Sequence, residues 1–360
     1  MKAISFFAGA GGLDIGMHSA GFDIKLAVEI EDTYCDTLIT NNHKNVKQGD
    51  IMDYTAAKVL SEAGLNTSEE IDLIFGGSPC QSFSTAGKRQ AFEDSRGQAM
   101  IKFAELINDL SPRFFVLENV KGLLSASLRH RPINQRGEEF PPLTDEEMPG
   151  SAINHLLSKL IKYNVVTTLV NTADYGVPQK RNRVFIIGTR NDLKINYEFP
   201  APTHSENGTD GLQPWRTFRE ITTQLENVEH HYQNYSQERL RYMRLIPQGG
   251  GNWRDLPVDL VQDAMGGAYT SGGGKVGFYR RIRLDSPAPT LLTSPIQKST
   301  NLGHPTEDRP LSIEEYLAIQ EFPDGYKICG RLSQQYTQIG NAVPVRLAKV
   351  IGESITKYLQ

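Results

Sequence analysis

Cysteine is scarce in this chain: Cys35, Cys80 and Cys329 are the only three in 360 residues. An odd number of widely spaced thiols, with no C-x-x-C pair among them, excludes a disulfide framework and a cysteine-type metal site, and no metal is expected. The amino terminus, Met1-Lys2-Ala3-Ile4-Ser5-Phe6-Phe7, runs straight into a glycine-rich turn. It has neither a secretory pattern nor an apolar run of about 18 residues, so the expectation is a cytoplasmic protein with no membrane contact. A surplus of positive charge is also missing, because 38 Lys and Arg stand against 42 Asp and Glu for a net charge of −4. Total charge therefore gives no support to nucleic-acid binding, and only a local segregation of basic residues could. No internal repeat or low-complexity tract interrupts the chain. Its length and its 39% hydrophobic content suit one large domain and a smaller companion.

What is present begins with a strand, a glycine turn and a helix. Residues 3–7 are largely apolar, Gly9, Gly11 and Gly12 follow, and a helical pattern covers 13–20. Glycines there let backbone approach a ligand, and the helix start favours an anionic group. A nicotinamide-type fingerprint wants glycine where this sequence has Asp14, so a dinucleotide reading is weakened. Glu29 closes the next apolar segment, 24–30, twenty positions after Gly9, and Asp50 closes the one after it, 45–50. Acids at two successive strand ends describe a nucleoside-binding edge.

A helix over 52–63 leads to the apolar run 71–75 and then to Gly76-Gly77-Ser78-Pro79-Cys80-Gln81-Ser82-Phe83-Ser84. A lone thiol at the carboxyl end of a buried strand is either an inert filler or a nucleophile, and its position favours the second. The stretch 81–97 is polar and basic. A helix over 98–110 and a strand over 113–120 follow, the strand ending in Glu118-Asn119-Val120, where a glutamate after Phe-Phe-Val-Leu is either at a pocket rim or functional. Residues 125–150 read as an irregular insertion, 152–163 as a helix, and 165–170 and 183–188 as two more strands, making seven. Beyond 190 the composition turns rich in Pro and Gly. Between 238 and 298, nine basic residues face five acidic ones, and Arg280-Arg281-x-Arg283 suits a surface that tracks phosphates. Helical patterns return over 312–321 and 345–359.

Six strings can now be set in order: Phe6-Phe7-Ala8-Gly9-Ala10-Gly11-Gly12, Pro79-Cys80-Gln81, Glu118-Asn119-Val120, Gln179-Lys180-Arg181-x-Arg183, Arg309-Pro310-Leu311-Ser312 with Gln320-Glu321-Phe322-Pro323, and Gly340-Asn341-Ala342-Val343-Pro344. In this order and spacing the chain resembles the cytosine-C5 DNA methyltransferases of the bacterial modification type. The likeness covers 1–190 and 305–360, while 191–304 matches only in position and size. It implies an α/β fold with a Rossmann-like, seven-stranded, S-adenosylmethionine-dependent methyltransferase sheet over 1–190. A second, smaller, irregular target-recognition domain is expected over 191–304, with 305–360 returning to the catalytic domain.

The resemblance also implies roles. Cys80 would add as a thiolate to cytosine C6, Glu118 would supply the proton at N3, and Arg183 and Arg181 would hold the cytosine carbonyl or nearby phosphates. Phe7, Ala8, Gly9, Gly11, Gly12, Glu29, Asp50, Pro79 and Asn341 would bind S-adenosylmethionine, leaving S-adenosyl-L-homocysteine as product. The target base would be flipped out of duplex DNA and covered by 81–97, with Gln81, Ser84, Lys88, Arg89 and Arg96 on the DNA alongside Arg280, Arg281 and Arg283. No side chain is assigned to removal of the C5 proton. The expected protein is a monomer at the nucleoid, with a cognate restriction endonuclease as a candidate partner. The alternatives are a transfer-RNA cytosine methyltransferase on the same scaffold and a catalytically silent DNA-binding module. The sizeable region 191–304 favours DNA over the first, since major-groove reading needs added surface. Cys80, Glu118 and Arg183 together speak against the second.

Overall fold

A computed structural model describes residues 1–79 and 95–360, apart from the side chains of Ser95, Arg96 and Ile133. The chain divides into two compact units. Unit 1 comprises Met1–Asn171, Asn182–Ala201 and Ala348–Gln360, and unit 2 comprises Thr172–Arg181 and Pro202–Leu347.

Unit 1 is built on strands β1 (Lys2–Phe6), β2 (Asp23–Glu29), β3 (Val46–Gln48), β4 (Leu73–Gly77), β5 (Phe114–Val120), β6 (Tyr163–Asn171) and β7 (Asn182–Arg190). They form one sheet in the order β3-β2-β1-β4-β5-β7-β6. The first five are parallel to their neighbours, and β7 runs antiparallel to both β5 and β6. The central strands are mostly apolar and buried along almost their whole length because both faces are covered, as parallel sheets require. On one face Ile4, Phe6, Ile74, Phe115 and Leu117 pack with Val59 of α3 (Ala56–Ala63), Phe103 and Ile107 of α4 (Ser95–Leu110) and Leu156 of α5 (Ser151–Lys159). On the other, α1 (Gly12–Ser19) meets Gly352 through Met17 and Ala20. Tyr197 bonds Ser354 at 2.7 Å there, and Phe114 stacks edge-on against Tyr197.

The expected helix over 52–63 is broken in two. Asp50 caps a short 3₁₀ turn, Ile51–Asp53, and Thr55 then caps α3 through the Lys58 amide. Helix α2 (Asp32–Thr40) links β2 to β3, and 121–150 is irregular apart from short 3₁₀ turns.

Unit 2 carries short helices α6 (Phe218–Gln224), α7 (Gln237–Met243), α8 (Val258–Met265), α9 (Ile313–Ile319) and α10 (Leu332–Asn341), of which α7 and α8 pack at a small core of Tyr235, Tyr242, Met243, Ile246, Leu256 and Tyr279. The expected boundaries shift here. Residues 305–347 group with unit 2, and only Ala348–Gln360, within helix α11 (Val345–Leu359), belong to unit 1. The reason lies in side chain to backbone bonds inside unit 2. Tyr336 donates to Leu311 O, and Gln320 donates to Ile339 O and Ala342 O and accepts from Gln179. Helix α10, which the sequence reading did not anticipate, also presses Gly340 onto the Leu292 carbonyl. No helix among the described residues is long and apolar enough to cross a membrane.

Candidate active site

The glycine turn after β1 is left-handed at three of five residues: Phe7 at φ 56°, Gly9 at φ 56° and Gly11 at φ 84°. Phe7 tolerates this costly conformation because its ring is held edge-on against Phe103 of α4. The turn ends on α1, with Gly11 as its cap residue. Glu29, at the end of β2, accepts from the Gly9 amide at 2.7 Å and from the Ile30 and Glu31 amides at 2.8 and 3.0 Å. It is buried, and burial raises its pKa from the ordinary glutamate value while these three amides oppose the shift. The neighbouring register pairs Glu29 with Gln48, and Gly49 donates to the Glu29 carbonyl, which sets Asp50 at the adjacent strand end. The Asp50 carboxylate accepts from Met52 at 3.0 Å. Phe7, Ala8, Gly9, Gly11, Gly12, Glu29 and Asp50 are thus gathered at one edge of unit 1. These residues fit a nucleoside ligand: two acids stand at consecutive strand ends, and a Cβ built on Gly9 would meet only the Phe7 carbonyl, at 3.9 Å, so the turn leaves open space beside its backbone.

Strand β4 reaches the same edge by close backbone approach. A Cβ on Gly76 would lie 2.6 Å from Phe6 O of β1, and one on Gly77 would lie 3.0 Å from Glu118 Oε2 of β5. Glu118 is 6% exposed, and its Oε1 lies 2.8 Å from Arg183 Nε. The β5–β7 register pairs Glu118 with Phe185 and Val120 with Arg183, so acid and guanidinium are diagonal neighbours on one face. Asn119, absent from the sequence-derived site, donates to Ser78 Oγ at 2.9 Å and to Ser78 O at 3.3 Å. It tethers the Ser78-Pro79 end of β4 to β5. Its one signal in the sequence was its place inside Glu118-Asn119-Val120. Pro79 is the last described residue before Cys80. Cys80, Gln81, Ser84, Lys88 and Arg89, with the side chain of Arg96, lie outside the described residues.

Two expected arginines, Arg181 and Arg281, are placed differently from the expectation. Arg181 is 1% exposed and donates to Leu291 O, Gly340 O and Asn341 O, so it braces unit 2 from within and has no free face for a base or a phosphate. Arg281 is 2% exposed and donates to Met243 O, Ile246 O, His304 O, Glu307 O and the Asp308 carboxylate. A guanidinium saturated by five acceptors in a core is an internal strut, not a DNA contact. Arg280 is half-buried, donating through Nε to Asn301 O, and its burial lowers its pKa. Of Arg280, Arg281 and Arg283, Arg283 alone is exposed, in an ion pair with Asp285 at 2.8 Å. Arg241, Arg244 and Arg254 are exposed as well. Asn341 closes α10 in unit 2 with an exposed side chain, its carbonyl held by Arg181.

Comparison with known proteins follows the same lines. The family model for C-5 cytosine-specific DNA methylases matches residues 1–357. The chain is 39% identical over 360 residues to the type II methyltransferase M.Sau96I of Staphylococcus aureus, covering 98% of this chain and 75% of that protein. It is 37% identical to M.PspPI of Psychrobacter sp., covering 99% and 79%, and 36% identical to M.Eco47II of Escherichia coli, with the same coverage. Among solved structures it resembles one described as a DNA modification methyltransferase encoded within an E. coli prophage, at TM-score 0.68 and 23% identity over 100% of this chain and 99% of that one. It also resembles the S. pombe Dnmt2 methyltransferase, at TM-score 0.58 and 14% identity over 100% and 97% of the two chains. These two likenesses speak to the fold.

Proposed function

The chain belongs to the C-5 cytosine-specific DNA methylase family, and on that premise we propose that it methylates one cytosine within a short duplex sequence through a covalent adduct on Cys80. Family and fold make the reaction S-adenosylmethionine-dependent cytosine methylation. The observation that carries the finer reading is the buried Glu118–Arg183 pair, set beside Gly77 at the strand edge from which the chain runs into Ser78-Pro79-Cys80.

Cytosine C5 is a poor nucleophile until something adds at C6. The Cys80 thiolate forms the S–C6 bond, N3 takes a proton, and the electron pair released at C5 attacks the methyl group. Glu118 would hold the proton at N3; the reading is supported by Arg183, which fixes one carboxylate oxygen while the other faces Gly77. Bound S-adenosylmethionine supplies an electrophilic sulfonium methyl and leaves as S-adenosyl-L-homocysteine. Glu29 and Asp50 would take its sugar and base, and Phe7, Ala8, Gly9, Gly11, Gly12 and Pro79 would surround the rest. Loss of the C5 proton to a base or water, with elimination of the thiolate, regenerates the enzyme. Since C5 and C6 are out of reach in a stacked duplex, the base is flipped out.

Unit 2 serves as the target reader, with Arg241, Arg244, Arg254 and Arg283 among its exposed basic residues, and the protein works as a monomer on chromosomal DNA. A restriction endonuclease of the same specificity would be its partner. The test is transfer of labelled methyl groups to duplex DNA, followed by trapping on a 5-fluorocytosine duplex. Labelling at one short site, and a trapped complex lost in Cys80→Ala, are expected. Labelling of transfer RNA with none of any mixed-sequence duplex would overturn the DNA substrate, and undiminished trapping by Cys80→Ala would overturn the nucleophile.

A further inference from the structure

Directly beneath the glycine turn lies an acid that the mechanism above does not use. Asp14, in the first turn of α1, is 0% exposed. Ser5 Oγ of β1 donates to its Oδ2 at 3.1 Å, and its Oδ1 is buried with no hydrogen-bond partner among the described residues. Glu29 is close enough for its charge to act on Asp14. The other influences on Asp14 are burial, the Ser5 hydroxyl and its own amide, and none is a basic side chain. Where α11 meets α1, it presents Gly352 to Met17 and Ala20, with no charge.

Two buried carboxyls without a counter-cation do not ionise together. Glu29 is stabilised as the anion by three amide donors, whereas Asp14 has only the Ser5 hydroxyl and its own amide. We propose that Asp14, supported by Ser5, is a positioning residue that holds a proton under the glycine turn in the donor-free protein and releases it when the cationic methyl donor binds. Burial pushes the Asp14 carboxyl up to about 7, so the proton is exchangeable near neutral pH. The donor carries a sulfonium charge that the thioether product has lost. Ionised Asp14 therefore favours donor over product, and the acid under the turn reports which of the two is present.

This inference rests on the methyltransferase reading. Its test is calorimetric titration of the full chain with S-adenosylmethionine and, separately, with S-adenosyl-L-homocysteine, in buffers of differing ionisation enthalpy across neutral pH. For the wild type, donor binding should release close to one proton below the Asp14 pKa, and affinity should rise by up to about tenfold per pH unit there, with a smaller slope for the product. Asp14→Asn should still bind both ligands but lose the difference in slope. Should Asp14→Asn fail to fold, Ser5→Ala removes one support of the carboxylate and should move the linkage to higher pH. An unchanged donor slope in Asp14→Asn, an unmoved linkage in Ser5→Ala, or the absence of proton release by the wild type would each overturn the proposal. No binding of either ligand by the wild type would instead overturn the methyltransferase reading, and this inference with it.

Discussion

Glu118 Oε1 meets Arg183 Nε at 2.8 Å across the antiparallel ladder of β5 and β7, with both side chains largely withdrawn from solvent. The antiparallel β7 makes the contact possible, since it brings a residue from the far end of unit 1 diagonally opposite the glutamate. Removing either partner breaks a buried ion pair, which is costly. Arg183→Ala should therefore destabilise unit 1 by about 3 kcal/mol and lower methyl transfer steeply. Glu118→Gln keeps the shape and should cost less stability, while losing roughly a hundredfold or more in turnover if the group manages a proton. Denaturant melts beside single-turnover labelling separate the two effects, and equal turnover in Glu118→Gln and wild type would refute the role given to the carboxyl.

The two glycines of β4 should respond differently to the same substitution. At Gly76 the added methyl meets the Phe6 carbonyl of the neighbouring strand, backbone that cannot yield without parting β1 from β4. At Gly77 it meets the Glu118 side chain, which can move. Gly76→Ala should thus lower the melting temperature markedly. Gly77→Ala should leave the fold nearly intact and impair catalysis by displacing Glu118. A larger melting-temperature loss in Gly77→Ala than in Gly76→Ala would contradict the geometry.

Arg281 and Arg283 stand two residues apart and should fail in opposite ways. Arg281→Ala leaves four carbonyls of unit 2 without their donor and frees the exposed Asp308 carboxylate, and a loss of about 3 kcal/mol is expected. Arg283→Ala removes an exposed charge already paired with Asp285, so stability should change by no more than about 0.5 kcal/mol. If Arg283 touches a phosphate, its loss should reduce the slope of log affinity against log salt by about 1. Binding titrations at several salt concentrations would show it, and an unaltered slope would remove Arg283 from the DNA surface.

The contrast within that one tripeptide marks where reading the sequence stops. Glu29 and Asp50 were legible because strand ends follow from apolar runs, and the glycine turn was legible because its composition is local. Glu118 was marked by its place at the end of Phe-Phe-Val-Leu. Nothing local distinguishes Arg281 from Arg283, since their fates are decided by carbonyls from 243–246 and 304–307 that fold over one and not the other. Arg181 was misjudged for the same reason, with its acceptors at Leu291, Gly340 and Asn341. The grouping of 305–347 with unit 2 rests on side chains such as Gln320 and Tyr336 bonding backbone in that unit, which no periodicity encodes.

Asp14 gives a prediction that needs no ligand. Its folded-state pKa, about 7, lies above the ordinary value of 3.8, so the folded protein binds a proton in that interval that the unfolded chain does not. The stability this contributes is fully present below pH 3.8 and is lost as pH rises toward 7, after which the curve levels. The slope is bounded by one proton, about 1.4 kcal/mol per pH unit. Asp14→Asn carries no such proton. Glu29, whose pKa is also raised, contributes a slope of the same sign, and to first order it cancels when the two proteins are compared. The wild type should therefore lose stability relative to Asp14→Asn across that window and run parallel to it above. Chemical denaturation over a pH series reads the difference directly. Parallel curves throughout would mean that Asp14 is already ionised in the folded protein, and the buried pair with Glu29 would then need a counter-cation that the described residues do not supply.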